Sequence, residues 1–151
     1  MVNSRQKGKV GEKLVKEFLE RETPYTFEYT PGSGSGSIKG DLMISKYKNA
    51  FCIEVKNYAD SPISDKILTN KTNDFVQWWT KLQKQAKPLR PLLFFKYNRS
   101  KLFVATDIKP MNVEKYIDIP WLNCYIVESE EWIKKETITW LHLPAQTKTT
   151  I

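Results

Sequence analysis

The stretch "GDLMISKYKNAFCIEVKNY", residues 40–58, decides how this chain is read. Two short apolar runs flank a polar turn, which predicts a hairpin with strands at 41–45 and 50–57 and a turn near 46–49. Phe51, Ile53 and Val55 alternate onto one face of the second strand, leaving Glu54 and Lys56 together on the other. Charges buried without partners cost free energy, so either this edge is solvated or the charges gather around something. Asp41 lies thirteen positions before Glu54. A turn with an even number of residues sets Asp41 across from Glu54 or Lys56 on the same face, with Met43 as a neighbouring wall; an odd one sets it opposite Val55.

In the even register, two carboxylates and an ammonium converge. That is a hard-oxygen site suited to Mg²⁺, which takes one or two carboxylates, keeps several waters and accepts substrate phosphate as a further ligand. A lysine alongside can position a water or stabilise developing charge. These are the parts of a phosphodiester hydrolase. The E-x-K pattern occurs once, at Glu54. The related D-x-K at Asp107–Lys109 has no acid one hairpin upstream and is followed by Pro110, so it reads as a strand end. The competing reading of Glu54 and Lys56 is an exposed face with a surface ion pair of little worth.

The rest of the chain sets the frame. At 151 residues it is read as a single domain, residues 1–151, with 40% hydrophobic and 27% charged residues and a net charge of +7. Such a basic balance favours a polyanionic partner, commonly nucleic acid. Cys52 and Cys124 each sit in an apolar run, and His142 is the sole histidine, so ligands for structural zinc are lacking. No run approaches the length of a membrane span, and the polar, basic start lacks a signal-peptide core.

Residues 5–22 carry a helical stripe of Val10, Leu14, Val15, Phe18 and Leu19, with Ser4 as candidate cap and Thr23-Pro24 as the stop. Gly8 and Gly11 imply a frayed start or the close approach of another chain segment. Glu12 falls on the flank of the stripe. It is either a surface residue paired with Lys16 at i+4 or part of the acidic cluster. Residues 25–30 suit a strand. The loop PGSGSGSIKG, residues 31–40, is either a flexible connection or a segment that closes over a ligand. A second helix is expected over 73–87, with an irregular stretch before it, a hairpin about Asn98–Ser100, a short helix near 112–117 and a strand near 122–127. Of Trp78 and Trp79, one is expected in the core and one exposed. The order implies an α/β fold, a mixed sheet flanked by helices.

Three segments together, RQKGKVGEKLV (5–15), YTPGSGSGSIKGDL (29–42) and CIEVKNY (52–58), resemble the PD-(D/E)XK nuclease superfamily, and within it the archaeal-type Holliday junction resolvases that also occur in phages. The likeness covers about the first hundred residues. Gly40 stands where the superfamily's proline is usual, and residues 108–151 have no counterpart, reading as a C-terminal extension to a core of about 4–107. The resemblance implies a restriction-endonuclease-like fold and a Mg²⁺-dependent DNA endonuclease in which Mn²⁺ substitutes. Asp41, Glu54 and the Val55 carbonyl would bind metal, Lys56 would assist the attacking water, and Glu12 would complete the acidic cluster. Lys7, Lys9, Lys13, Lys16 and Lys39, with a serine among Ser33, Ser35 and Ser37, would contact DNA through its phosphates rather than its bases. It further implies a homodimer acting on four-way junctions in the cytoplasm of a prokaryotic, archaeal or phage-infected cell. A sequence-specific restriction-like or homing endonuclease and a non-catalytic DNA-binding module are the alternatives.

Overall fold

The computed structural model describes residues 3–31 and 39–142. The first helix, α1 (Ser4–Glu22), starts on Asn3, whose side chain accepts from the Gln6 N–H at 2.8 Å; Asn3, not Ser4, is the cap. It stops at Thr23, whose hydroxyl and N–H both turn back to the Leu19 carbonyl. Its buried stripe is Gly11, Val15, Phe18 and Leu19. Val10 and Leu14 stay 58% and 37% exposed, a correction to the wider stripe expected from periodicity. The sheet covers a narrower arc of the helix than five apolar residues span.

Seven strands follow in one mixed sheet, ordered β1-β2-β3-β4-β5-β7-β6: β1 (Phe27–Tyr29), β2 (Leu42–Ile44), β3 (Phe51–Tyr58), β4 (Arg90–Tyr97), β5 (Phe103–Thr106), β6 (Ile117–Ile119) and β7 (Cys124–Glu128). All neighbours are antiparallel except β3 and β4, which run parallel. A parallel pair needs a crossover, and α3 (Asp74–Ala86) supplies it. The stretch before α3 is not wholly irregular; it holds the short helix α2 (Lys66–Thr69). Residues 112–116 form no helix, and the chain enters β6 directly, so the short helix expected there is wrong. The stretch is held instead by the Glu136 carboxylate, which accepts the Met111, Asn112 and Val113 N–H groups. The tail forms α4 (Ser129–Lys135) and then runs extended to an antiparallel bridge between Leu141 and Asn49.

The alternation of β3 divides the molecule into two cores. Phe51, Ile53 and Val55 pack with Val15, Phe18 and Leu19 of α1, with Trp132 and Trp140 closing that layer. Cys52 packs on the other face with Phe75, Trp79 and Leu82 of α3. Glu54 and Lys56 share the parity of Cys52 and so stand on the α3 face. Trp79 is fully buried while Trp78 is half-buried, dividing the pair between core and surface.

Candidate active site

The site forms where β3 outruns β2. The β2–β3 pairing matches Leu42 with Ile53, which sets Asp41 across from Glu54 in the even register. Met43 accordingly stands on the face opposite Leu42 and Ile44, both of which are buried in the α1 layer. At Asp41 the ladder changes. The Asp41 N–H donates to the Ile53 carbonyl at 2.6 Å, and its carboxylate accepts the Val55 N–H at 2.8 Å. A side chain thus does the work of a strand carbonyl and is pinned in doing it. Gly40 permits the turn into this arrangement. Its φ is +96°, and a Cβ there would lie 2.5 Å from the Ile53 carbonyl oxygen. Thr30 ties the other side, donating its hydroxyl to the Gly40 carbonyl and its N–H to that of Asp41.

Glu12 arrives from the other face of the sheet, round its edge. Gly11 makes this possible: a Cβ at that position would meet the Asn57 Cβ at 2.7 Å, so α1 seats closely against the end of β3. The Asn57 side-chain amide fastens it by donating to the Lys7 carbonyl at 3.0 Å. Lys16 pairs with Glu20 at 3.1 Å, not with Glu12. Glu12 instead faces Asp41. Burial and then the Asp41 carboxylate raise its proton affinity, with Lys9 opposing. Glu54 is raised further, to about 7, by burial first and Asp41 second, against the pull of Lys56 and Lys81. The Lys56 Nζ is 3.7 Å from Glu54. Cys52, beneath them, is driven to about 12 by burial and the same two acids, so it remains a protonated thiol.

Glu12 and Glu54, both raised by burial and by the Asp41 carboxylate beside them, fit a hard cation, which would relieve the repulsion with oxygen ligands. Among the described residues, no three His, Cys, Asp or Glu side chains form a ready-made metal cage. A Mg²⁺ ion needs only one or two protein carboxylates, with water filling the rest. Val55 gives its N–H to Asp41, and its carbonyl lies along the same strand edge. The acids and Lys56 line a cleft of about 400 Å³ together with Ser4, Lys7, Gly8, Asn57 and Tyr58.

The expected DNA contacts divide. Lys7 lines the cleft and donates to the Asn98 side chain at 2.6 Å. Lys9, Lys13 and Lys39 are exposed, whereas Lys16 is engaged with Glu20. Ser33, Ser35 and Ser37 lie outside the described residues. Two groups were missed from sequence: Lys81 and Trp78, both brought by α3 to the side of β3 that bears Glu54 and Lys56. The signal was available, because a helix linking two adjacent parallel strands must cover one sheet face.

Residues 3–144 match the model of the family described as "Phage putative PDDEXK endonuclease". The chain belongs to that family. It is therefore an endonuclease of PD-(D/E)XK type, and its substrate is DNA. It is also similar to Protein D14 of Escherichia phage T5, with 33% identity over 115 residues, 70% of this chain and 72% of that one. Among solved structures, Hjc, a Holliday junction resolvase from Archaeoglobus fulgidus, is similar at a TM-score of 0.42 and 12% identity, over 85% of this chain and 93% of that one. At that distance the likeness decides nothing about this chain. No described helix is long and apolar enough to cross a membrane.

Proposed function

We propose that this endonuclease is a Mg²⁺-dependent, structure-selective enzyme that resolves four-way DNA junctions as a homodimer in the cytoplasm of an infected cell. The observation that carries the metal-dependent chemistry is the meeting of Glu12, Asp41 and Glu54 in one cleft beside Lys56. Asp41 and Glu54, with the Val55 carbonyl, would hold the cation, and Glu12 would complete the shell directly or through water. When bound, the cation supplies a water of lowered pKa and neutralises charge on the phosphodiester. Asp41 is oriented for this by the Val55 N–H that its carboxylate accepts. Lys56 positions the attacking water and stabilises the charge that develops as it adds. Manganese, with the same preference for oxygen ligands, substitutes.

Junction selectivity is supported by the sequence resemblance to archaeal-type resolvases and by a surface of exposed lysines, which hold phosphates without reading bases. A two-fold junction suits a two-fold dimer. The test compares a four-way junction with a matched linear duplex, in Mg²⁺ and in EDTA. Metal-dependent cutting confined to the junction, lost in Glu54→Ala, is expected. Cutting of one linear sequence with indifference to branching would replace this reading with a restriction-like or homing endonuclease. Tight junction binding with no cleavage in any metal would leave a binding module.

A further inference from the structure

Trp78 has no part in the scheme above, yet α3 sets it against the face of β3 that carries Lys56. The Lys56 Nζ lies 5.8 Å from the centre of the Trp78 ring, within the range at which an ammonium is drawn to an indole face. Tyr58, two residues beyond Lys56 on the same face, packs on Trp78 with ring centres 4.8 Å apart and planes tilted by 32°. That contact sets the plane of the indole. Trp79 sets the rotation of the helix, since it is fully buried and donates its ring N–H to the Leu122 carbonyl at 2.7 Å. Lys56 is thus held on two sides, by the Glu54 carboxylate at 3.7 Å and by the indole.

We infer that Trp78 is a positioning residue for the cleavage reaction, whose indole face holds the Lys56 ammonium at the carboxylate cleft. The inference rests on the role proposed above for Lys56. A lysine carries a flexible four-carbon stem, and freedom in that stem dilutes the productive geometry. A carboxylate restrains it poorly once that carboxylate also serves a cation. The face of an indole restrains it differently. It attracts the charge without accepting a conventional hydrogen bond, so the three N–H donors stay available for water and phosphate.

The test measures kcat and KM on whichever DNA the wild type cuts, for Trp78→Leu, Trp78→Met and Trp78→Phe, alone and with Lys56→Met. Thermal midpoints of the same set are taken without metal. Trp78→Leu and Trp78→Met are expected to lose about tenfold in kcat with KM unchanged, and Trp78→Phe to stay within about threefold of wild type. In the Lys56→Met background, replacing Trp78 costs no further activity. The midpoints of single and double variants fail to add by about 2 °C. A rise in KM at constant kcat would make Trp78 a DNA contact and overturn the inference, as would additive midpoints. The methionine variant preserves bulk should leucine not fold. The thermal cycle needs no substrate, so failure of the wild type to cut junctions sinks the proposed function and not this contact.

Discussion

Two half-buried glutamates, one on β3 and one at the end of α4, meet opposite fates. Glu136, at the end of α4, accepts three backbone N–H groups, from Met111, Asn112 and Val113 at 2.6, 2.7 and 2.9 Å. Burial pushes its proton affinity up, but those donors outweigh burial and hold the carboxyl below its ordinary value. Glu54 has a lysine at 3.7 Å and another carboxylate beside it, and it rises to about 7. The fold is able to satisfy a buried acid fully when that acid is structural. At the cleft it leaves the acids short of donors, and a group short of donors is what a cation or a reacting water completes.

The sharpest way to break this comparison is to remove each charge. Glu54→Gln and Asp41→Asn are expected to lower junction cleavage by about a thousandfold or more, while Glu136→Gln leaves the rate per folded molecule unchanged. Equal losses in a gel-based cleavage assay would erase the distinction. Stability should show the reverse order. Glu136→Ala strands three backbone donors and is expected to cost about 2–3 kcal/mol in urea unfolding, with cleavage by the folded fraction retained. Gly40→Ala should cost a comparable or smaller amount, about 1–3 kcal/mol, and cut activity too, because φ of +96° and the Ile53 carbonyl at 2.5 Å force the Asp41 turn to shift. A folded, fully active Gly40→Ala protein would show that the turn does not orient Asp41.

The subtlest expectation concerns pH. Glu54 binds its proton more tightly folded than unfolded, so its contribution is neutral well below pH 4.5 and turns destabilising as pH rises through about 7, where both states are ionised. The metal-free wild type should therefore lose thermal stability relative to Glu54→Gln between these values, and the gap should then level off. Added Mg²⁺ should close part of the gap. A constant difference across that range, in melting curves, would mean the acid is already well satisfied.

Much of the cleft was legible because a strand repeats every two residues. Once Glu54 and Lys56 shared a face, only the parity of one turn remained to place Asp41, and the Leu42–Ile53 pairing supplies it. Helical periodicity is a blunter guide. It put Val10 and Leu14 in the core, whereas the sheet reaches only the Gly11, Val15, Phe18 and Leu19 side of α1. It also left Glu12 with two readings, since facing Asp41 or Lys16 depends on how closely Gly11 lets the helix approach Asn57. Lys81 and Trp78 lie more than twenty residues from Lys56 in the chain, and only the crossover between β3 and β4 brings them near.

The margins of the sheet carry a consequence for assembly. Among the described residues its outermost strands, β1 and β6, are three residues long each, so these borders offer a second copy only a few backbone rungs. Of the described residues, the side-chain surfaces of helices and connecting segments offer a second copy more than the strand borders do. An intermolecular continuation of the pleat would have too little to grip.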